Sequence, residues 1–410
     1  MTALRSYATT HPWITFRVDL GDVTWDAWLL LGEARSKIDH LSQIPLRPDT
    51  FEQLHIITLA RGALASAAIE GNTLSEEQAI AIAKHESHLP PSQEYLEHEV
   101  ANVIDASNWV MDRIDDITPV LSPDTIKAFN RMVLDGLELE SGVVPGEYRE
   151  SPVGVGTVYR GAPAEDCEYL IDEMCVWLNH KSFAPDDPEQ RVVFAIIRAV
   201  LAHLYIAWIH PFGDGNGRTA RLTEFLILVS AGVPSTAAHL LSNHYNQTRD
   251  DYYRQLKNAS RSGGDVIPLL SYAVRGLVDQ LREQLKFVYG QVVLDSWQNY
   301  VHEALPGGTT TAERRRQLVI DLSPAGTRGW SKNEIASVSP GVAARYAQLS
   351  SRTLSRDLND LVERGLLRRG DDDLYYVNLD TLVRRMPRST ERIASPWSPN
   401  EESTGSRRRA

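Results

Sequence analysis

The segment that most constrains this chain is a glycine-rich loop set between two apolar helices. The first helix is read from Asp187-Pro188 to Ile209, with its most apolar run at Val192 to Ile209. The second is read from Thr219 to Ala231, stopped by Gly232 and Pro234. Between them stands His210-Pro211-Phe212-Gly213-Asp214-Gly215-Asn216-Gly217-Arg218, with Arg221 one turn further on. A helix beginning near Arg218 turns its unpaired backbone N–H groups and the positive end of its dipole toward that loop. Gly213, Gly215 and Gly217 let the loop fold tightly, forming a nest suited to a di- or triphosphate. Asn216 offers a neutral side-chain donor, and Arg218 and Arg221, three residues apart, share a helix face and can both reach phosphates. Asp214 is the only carboxylate in the loop. One carboxylate plus phosphate oxygens is how proteins usually hold Mg²⁺. His210, at the end of the preceding helix, is placed to take a proton from an incoming hydroxyl. Together these parts point to nucleotidyl transfer, in which a protein hydroxyl attacks an α-phosphorus and pyrophosphate leaves.

Bulk properties narrow the field. A formal net charge of −12 over 410 residues argues against a nonspecific nucleic-acid binder. The two cysteines, Cys167 and Cys175, would stand about 12 Å apart on a helix, too far to bridge, and have no zinc-ligand spacing. A reducing, cytoplasmic setting is therefore expected. Thr10 to Asp19 is too polar for a secretory leader. The apolar run before His210 carries Arg198 and His203, so it reads as a buried core helix in a soluble protein with no membrane span.

Along the chain, Trp25 to Ala83 has a helical period, broken at Glu70-Gly71-Asn72. Ser75-Glu76-Glu77-Gln78 then offers a capping box, and Ser122-Pro123 opens a helix holding Ile126 to Leu137. Between Gly142 and Pro163 the helical period disappears, and Val153-Gly154-Val155-Gly156 suggests a short hairpin. A long helix is expected over Ile267 to Ala304, followed by a linker at Pro306-Gly307-Gly308-Thr309-Thr310-Thr311. After Ser331 basic residues exceed acidic ones by about three, leaving about −15 on the remainder.

The loop and its flanks resemble the Fic family of protein adenylyltransferases, whose motif HPFx(D/E)GNGRxxR is matched at every position from His210 to Arg221. The resemblance spans about Phe16 to Leu256. It implies ATP as substrate, His210 as base, Asp214 as the Mg²⁺ ligand and Gly215-Asn216-Gly217 on the α- and β-phosphates. Arg218 would meet the β-phosphate, Arg221 the γ-phosphate, and Phe212 would anchor the loop in the core. Glycine at 217, where a target-phosphorylating relative has lysine, implies transfer of AMP.

Further expectations come with it. Ser66 to Asn72 resembles the family's upstream inhibitory motif, (S/T)xxxE(G/N), implying that Glu70 pairs with Arg221 and turns the α-phosphate away from attack. Taken alone, Glu70 would be a solvated helix end and Gly71 a C-cap. Val153, Gly154 and Val155 fall where the family has a flap that docks the target by strand addition; an ordinary surface hairpin fits the residues equally. Tyr245 or Tyr252 would pack against adenine or fill the core. Ser351 to Arg364, followed by strands at Leu366 to Arg369 and Leu374 to Val377, resembles a winged helix-turn-helix. Asp357, Asp360, Glu363 and an acidic wing argue there against a DNA backbone.

The expected fold is mainly α: a Fic-type helical core with a small β-hairpin flap, then a C-terminal winged helix-turn-helix domain. The expected segments are 1–105, an N-terminal helical region with the inhibitory helix; 106–260, the catalytic core; 261–305, a connecting helix; 306–385, the winged helix; and 386–410, a disordered tail. The expected function is AMP transfer from ATP to Ser, Thr or Tyr hydroxyls of a target protein or of the chain itself, restrained by Glu70. The alternatives are removal of AMP by the same site, or a DNA-binding regulator with a residual Fic fold. A homodimer is expected by likeness to relatives that pair.

Overall fold

The computed structural model describes residues 5–114, 121–155, 159–183, 185, 187–326 and 328–383. The expected tail at 386–410 and the tip of the expected flap at 156–158 lie outside the described residues. The chain is mainly α-helical and divides into two compact units, Met1–Gln284 and Leu285–Ala410.

In the first unit, α1 (Tyr7–Thr10), α2 (Trp25–Gln43), α3 (Pro48–Ile69), α4 (Glu76–Ala83), α5 (Glu94–Asp112) and α6 (Pro123–Val133) precede the hairpin. After it come α7 (Cys167–Leu178), α8 (Pro188–Ile209), α9 (Asn216–Ser230), α10 (Ser235–Ala238), α11 (Leu240–Gln247), α12 (Arg249–Arg261) and the start of α13 (Ile267–Ala304). The helix starts follow local chemistry. Ser75 caps α4 in a closed capping box with Gln78, Ser122 accepts from Thr125 N ahead of Pro123, and Asp187 accepts from Glu189 N beside Pro188.

At the centre α8 packs along α9. α8 is long and apolar enough to cross a membrane, but 78% of its apolar window is buried inside the protein, as expected of a core helix. α9 is buried at Asn216 and from Arg218 to Val229, with Gly217 half-buried. α5, α6 and α3 close around this pair. α3 comes close to its neighbours because it is lined with Ala60, Gly62, Ala63, Ala65 and Ala67; a Cβ on Gly62 would run into the His239 ring. Cys167 and Cys175 sit buried and unbridged on α7, their thiols pushed up by burial to about 11 and about 12. The hairpin pairs β1 (Gly154–Val155) antiparallel with β2 (Tyr159–Arg160), with Gly154 opposite Arg160 and Val155 opposite Tyr159.

α13 spans the expected Ile267 to Ala304, and the contacts divide the chain within it. The 306–311 segment therefore lies inside the second unit, where Thr309 caps α14 (Thr310–Leu322). Short helices α15 (Lys332–Ile335) and α16 (Pro340–Tyr346) lead to α17 (Ser351–Glu363), and α18 (Asp380–Val383) follows the strands. β3 (Leu367–Arg369) pairs antiparallel with β4 (Tyr375–Val377), and Trp330 adds a further antiparallel bridge to Tyr375. Trp297 and Val301 of α13, with Leu305 just after it, pack with Leu318, Leu322, Leu354, Leu358 and Leu361 in this unit's core.

Two carboxylates expected to repel a phosphate backbone are spent internally instead. Asp357 is buried, accepting from Arg314 Nε and Arg315 Nε at 2.8 Å each and from the Tyr346 hydroxyl at 3.0 Å. Asp360 accepts from Arg315 at 2.7 Å and from Arg364 at 2.8 Å. A sequence window shows these charges on one helix, but their partners lie about forty residues upstream on α14. Asp357→Ala would strand buried Arg314 and cost about 3 kcal/mol. Amides of α17 should then lose hydrogen-exchange protection on the order of a hundredfold, with the α8 and α9 amides unaffected. Unchanged α17 exchange would show that the cluster is not structural.

Candidate active site

The loop between α8 and α9 is held by its own residues. His210 adopts a left-handed conformation, φ 52°, which turns the chain out of α8. Gly215, φ 74°, turns it back as the residue before α9. Phe212 is fully buried, its ring centroid 5.6 Å from that of Tyr148, so the anchor role implied for it matches its place. Asn130 of α6 donates to the Asp214 carbonyl at 2.9 Å and accepts from Gly146 N at 2.9 Å.

Asn216 corrects the reading of its side chain as a donor to a nucleotide. Its Oδ1 accepts from Phe212 N and its Nδ2 donates to Phe212 O, both at 2.9 Å, closing the loop into a ring. The side chain therefore builds the cradle. The first-turn amides of Asn216, Gly217 and Arg218 have no acceptor within α9 and supply the anion-attracting groups. Asp214 keeps its side chain 47% exposed at the mouth of the loop.

The two arginines share α9 but have different surroundings. Arg218 is buried, donating from Nη1 to Glu99 Oε1 at 3.0 Å and to the Val133 carbonyl at 3.4 Å, with Nη2 3.6 Å from Asp214 Oδ1. Glu99 is itself held by Asn72 Nδ2 at 3.0 Å; burial pushes its carboxyl up against the pull of Arg218 and Asn72. Arg221 donates from Nε to Ser66 Oγ at 2.9 Å and from Nη2 to Ser66 O at 2.8 Å and Glu70 Oε1 at 2.6 Å. Its Nη1 is buried with no hydrogen-bond acceptor among the described residues and stands 3.1 Å from where a Cβ on Gly217 would project. That is an unused cationic donor aimed beside the amide cradle.

Ser66 and Glu70 thus meet Arg221 as the motif implied. A Cβ on Gly217 would overlap Glu70 Oε1, so the carboxylate lies directly on the first turn of α9. Burial alone would raise the Glu70 carboxyl, but Arg221, then Arg218 and His210, hold it below its ordinary value. It is ionised at neutral pH, and a negative group occupies part of the anion site.

His210 sits partly exposed at the end of α8. Burial lowers its pKa to about 4, helped by the Arg149 charge and opposed by the Ala207 carbonyl, Glu70 and Asp214. Its Nδ1 is shut off from solvent without a hydrogen bond among the described residues. The imidazole is neutral at pH 7, the state a general base needs.

Of the two readings given for the tyrosines, the structure corrects adenine packing and matches core filling. Tyr245 and Tyr252 are buried, stacked with centroids 4.9 Å apart; Tyr245 donates to Glu224 at 3.0 Å, and Tyr252 shares a hydrogen bond of 2.7 Å with His203. Neither presents a face to a base; they fill the core behind Arg221. The neighbour Tyr253 is 41% exposed and donates to the Ile69 carbonyl at 3.1 Å, beside Glu70. Its position in Asp251-Tyr252-Tyr253-Arg254 gave no sign of which ring would face out; only the rotation of α12 decides that. Of the flap residues, Val153 is half-buried and accepts from Gly161 N at 3.1 Å, and Gly154 and Val155 form β1.

The loop thus brings together a helix N-terminus, a neutral histidine, two buried arginines and one half-exposed carboxylate. Residues 120–228 match the Fic/DOC family, so the chain carries a Fic domain. It is 34% identical over 212 residues to a protein adenylyltransferase Fic of Nematostella vectensis, covering 51% of this chain and 45% of that protein. Against the protein adenylyltransferase fic-1 of Caenorhabditis briggsae it is 34% identical over 210 residues, covering 51% of this chain and 38% of that one. The chain thus spans less than half the length of these relatives. Among solved structures, a Fic family protein from Desulfovibrio desulfuricans G20 superposes with a TM-score of 0.52 at 22% identity, over 87% of this chain and 96% of that one. Fic-1 from C. elegans superposes with a TM-score of 0.51 at 25% identity, over 63% of this chain and 72% of that one.

With a pKa of about 4, His210 would be about 3% protonated at pH 5.5, where an ordinary histidine is about 90% protonated. Imidazole NMR of ¹³C-histidine-labelled protein should show His210 unchanged between pH 8 and 5.5. A midpoint near 6.5 would mean that it is solvated and not held as described.

Proposed function

We propose that this protein transfers AMP from ATP to a hydroxyl side chain of a target protein, and that Glu70 restrains the reaction. The observation that carries this reading is the convergence on one loop of a neutral His210, the α9 amides and Arg221, with Glu70 lying across them. In the reaction, His210 takes the proton as the hydroxyl oxygen attacks the α-phosphorus. The bond from that phosphorus to the bridging oxygen breaks, and pyrophosphate departs. The α9 amides and the arginines stabilise charge on the phosphates. The family match and the curated relatives named as adenylyltransferases support the same chemistry.

Among the described residues no three His, Cys, Asp or Glu side chains gather to hold a metal by themselves. The half-exposed Asp214 fits the other mode, in which one carboxylate and phosphate oxygens share Mg²⁺. When bound there, the ion would neutralise charge on the leaving pyrophosphate. The exposed ring of Tyr253 suits the adenine, and the edge of β1, which pairs only with β2 among the described residues, suits an extended target segment.

Glu70 restrains this chemistry by taking the guanidinium that a γ-phosphate would need and by putting negative charge on the cradle. Intact-mass analysis after incubation with ATP and Mg²⁺ should show AMP incorporation by Glu70→Gly at least about tenfold above wild type, and none by His210→Ala. Equal incorporation by wild type and Glu70→Gly would remove the restraint; none by either would remove the transferase.

The second unit supports a separate proposal, a winged helix-turn-helix that binds duplex DNA. With Asp357 and Asp360 neutralised, α17 exposes Ser351, Arg352, Arg356 and Asn359 along one stripe. Fluorescence anisotropy at about 50 mM salt should detect duplex binding that weakens as salt rises and is lost in Arg352→Ala/Arg356→Ala. Absence of binding at that salt would exclude this role.

A further inference from the structure

A buried arginine ordinarily faces a carboxylate. Arg149 is buried and, among the described residues, has no acidic group at ion-pair distance. Its hydrogen bonds go to main-chain carbonyls. Nε donates to His210 O at 2.7 Å, Nη1 to Ser151 O at 2.8 Å, and Nη2 to Ala162 O and, at 3.4 Å, to Ile209 O. Its own backbone N–H donates to Pro211 O at 3.0 Å. One residue therefore grips the last carbonyl of α8, the residue before the motif proline, the approach to β1 and the chain leaving β2.

The surroundings are built for that grip. Ala162 N donates to Ile209 O at 3.2 Å, and the Tyr159 hydroxyl donates to Trp208 O at 2.8 Å. Both tie the β2 side to the end of α8. Gly161 leaves the room: a Cβ there would stand 2.9 Å from both Arg149 Nη2 and the His210 Cβ. His210 itself holds φ 52°, a left-handed conformation that a side-chain-bearing residue keeps only when its surroundings enforce it. The positive charge also lies where the carbonyl end of α8 is negative.

We propose that Arg149 is a positioning residue that locks the left-handed backbone of His210, aiming the imidazole at the nucleotide and tying that aim to the base of the target-docking hairpin. The inference deepens the transferase reading above and rests on it. Only a planar guanidinium spans four carbonyls in different directions; a lysine keeps the charge but reaches them from a single nitrogen. Displacing the base by about 1 Å should cost up to about a hundredfold in turnover. ATP is held by α9 and its arginines, so its binding should be spared.

The test is made in the full chain carrying Glu70→Gly. Arg149→Lys and Arg149→Met should lower the rate of AMP transfer at saturating ATP by about 30- to 100-fold while ATP affinity, by calorimetry, stays within about threefold. Imidazole NMR should show the His210 signal displaced in both, with its titration midpoint raised in Arg149→Met, which loses the charge. Gly161→Ala, which crowds the clamp without removing it, should give the same loss of rate with ATP binding intact, and it decides the matter if the Arg149 variants do not fold. Unchanged transfer in folded variants overturns the proposal. So does a loss of transfer matched by an equal loss of ATP affinity. If Glu70→Gly itself transfers no AMP, the transferase reading falls instead. The clamp is then judged by NMR alone, where an unmoved His210 signal in Arg149→Met overturns it.

Discussion

The pairing of α8 with α9 is the constraint on which the site depends. Both helices are buried along most of their length, and α5, α6 and α3 complete the enclosure. The chain must leave one buried helix and re-enter another within a few residues. It does so with His210 and Gly215 in the left-handed region and Asn216 stitched to Phe212. The reversal points the open N-terminus of α9 and the last residue of α8 to the same spot. Anion attraction and proton acceptance are thus products of how two greasy helices are joined.

Electrostatics then sort the polar groups around that junction. Arg218 is committed to Glu99, which Asn72 steadies, while Arg221 is shared between Ser66 and Glu70 and retains one buried donor without an acceptor. The asymmetry matters physically. Arg218 is held by a carboxylate of α5, whereas Arg221 carries its partner at the end of α3. Glu70 is ionised because three positive or polarisable neighbours outweigh its burial, so acidification within the physiological range does not loosen the contact.

Much of this was readable from residue order. The helix starts at Ser75, Ser122 and Asp187 are chemical signals confined to four residues, and each caps the helix it announces. The span Ile267 to Ala304 and the strands around Gly370 follow from periodicity and turn chemistry in the same way. The motif from His210 to Arg221 announces the site because its residue types are placed by one loop and one helical turn. What stayed hidden involves distant partners. Glu99 stands 119 residues from Arg218, Arg149 reaches His210 across 61, and Arg314 meets Asp357 across 43. No local pattern marks such pairs, since each side alone looks like an ordinary surface charge.

Residue order also could not say which tyrosine of α12 faces outward, nor that Asn216 turns inward to its own loop. Those outcomes depend on how far a helix is rotated against its neighbours, a property of the assembled core. The sequence alone determined the mainly helical class, the caps and the residue types of the loop, because these arise within a few bonds of one another. Tertiary structure alone decided that Arg218 pairs with Glu99, that Arg221 pairs with Glu70, and that the buried Arg149 guanidinium donates to the His210 carbonyl. Charges and carbonyls far apart in the chain acquire their energies only when packing removes the water between them.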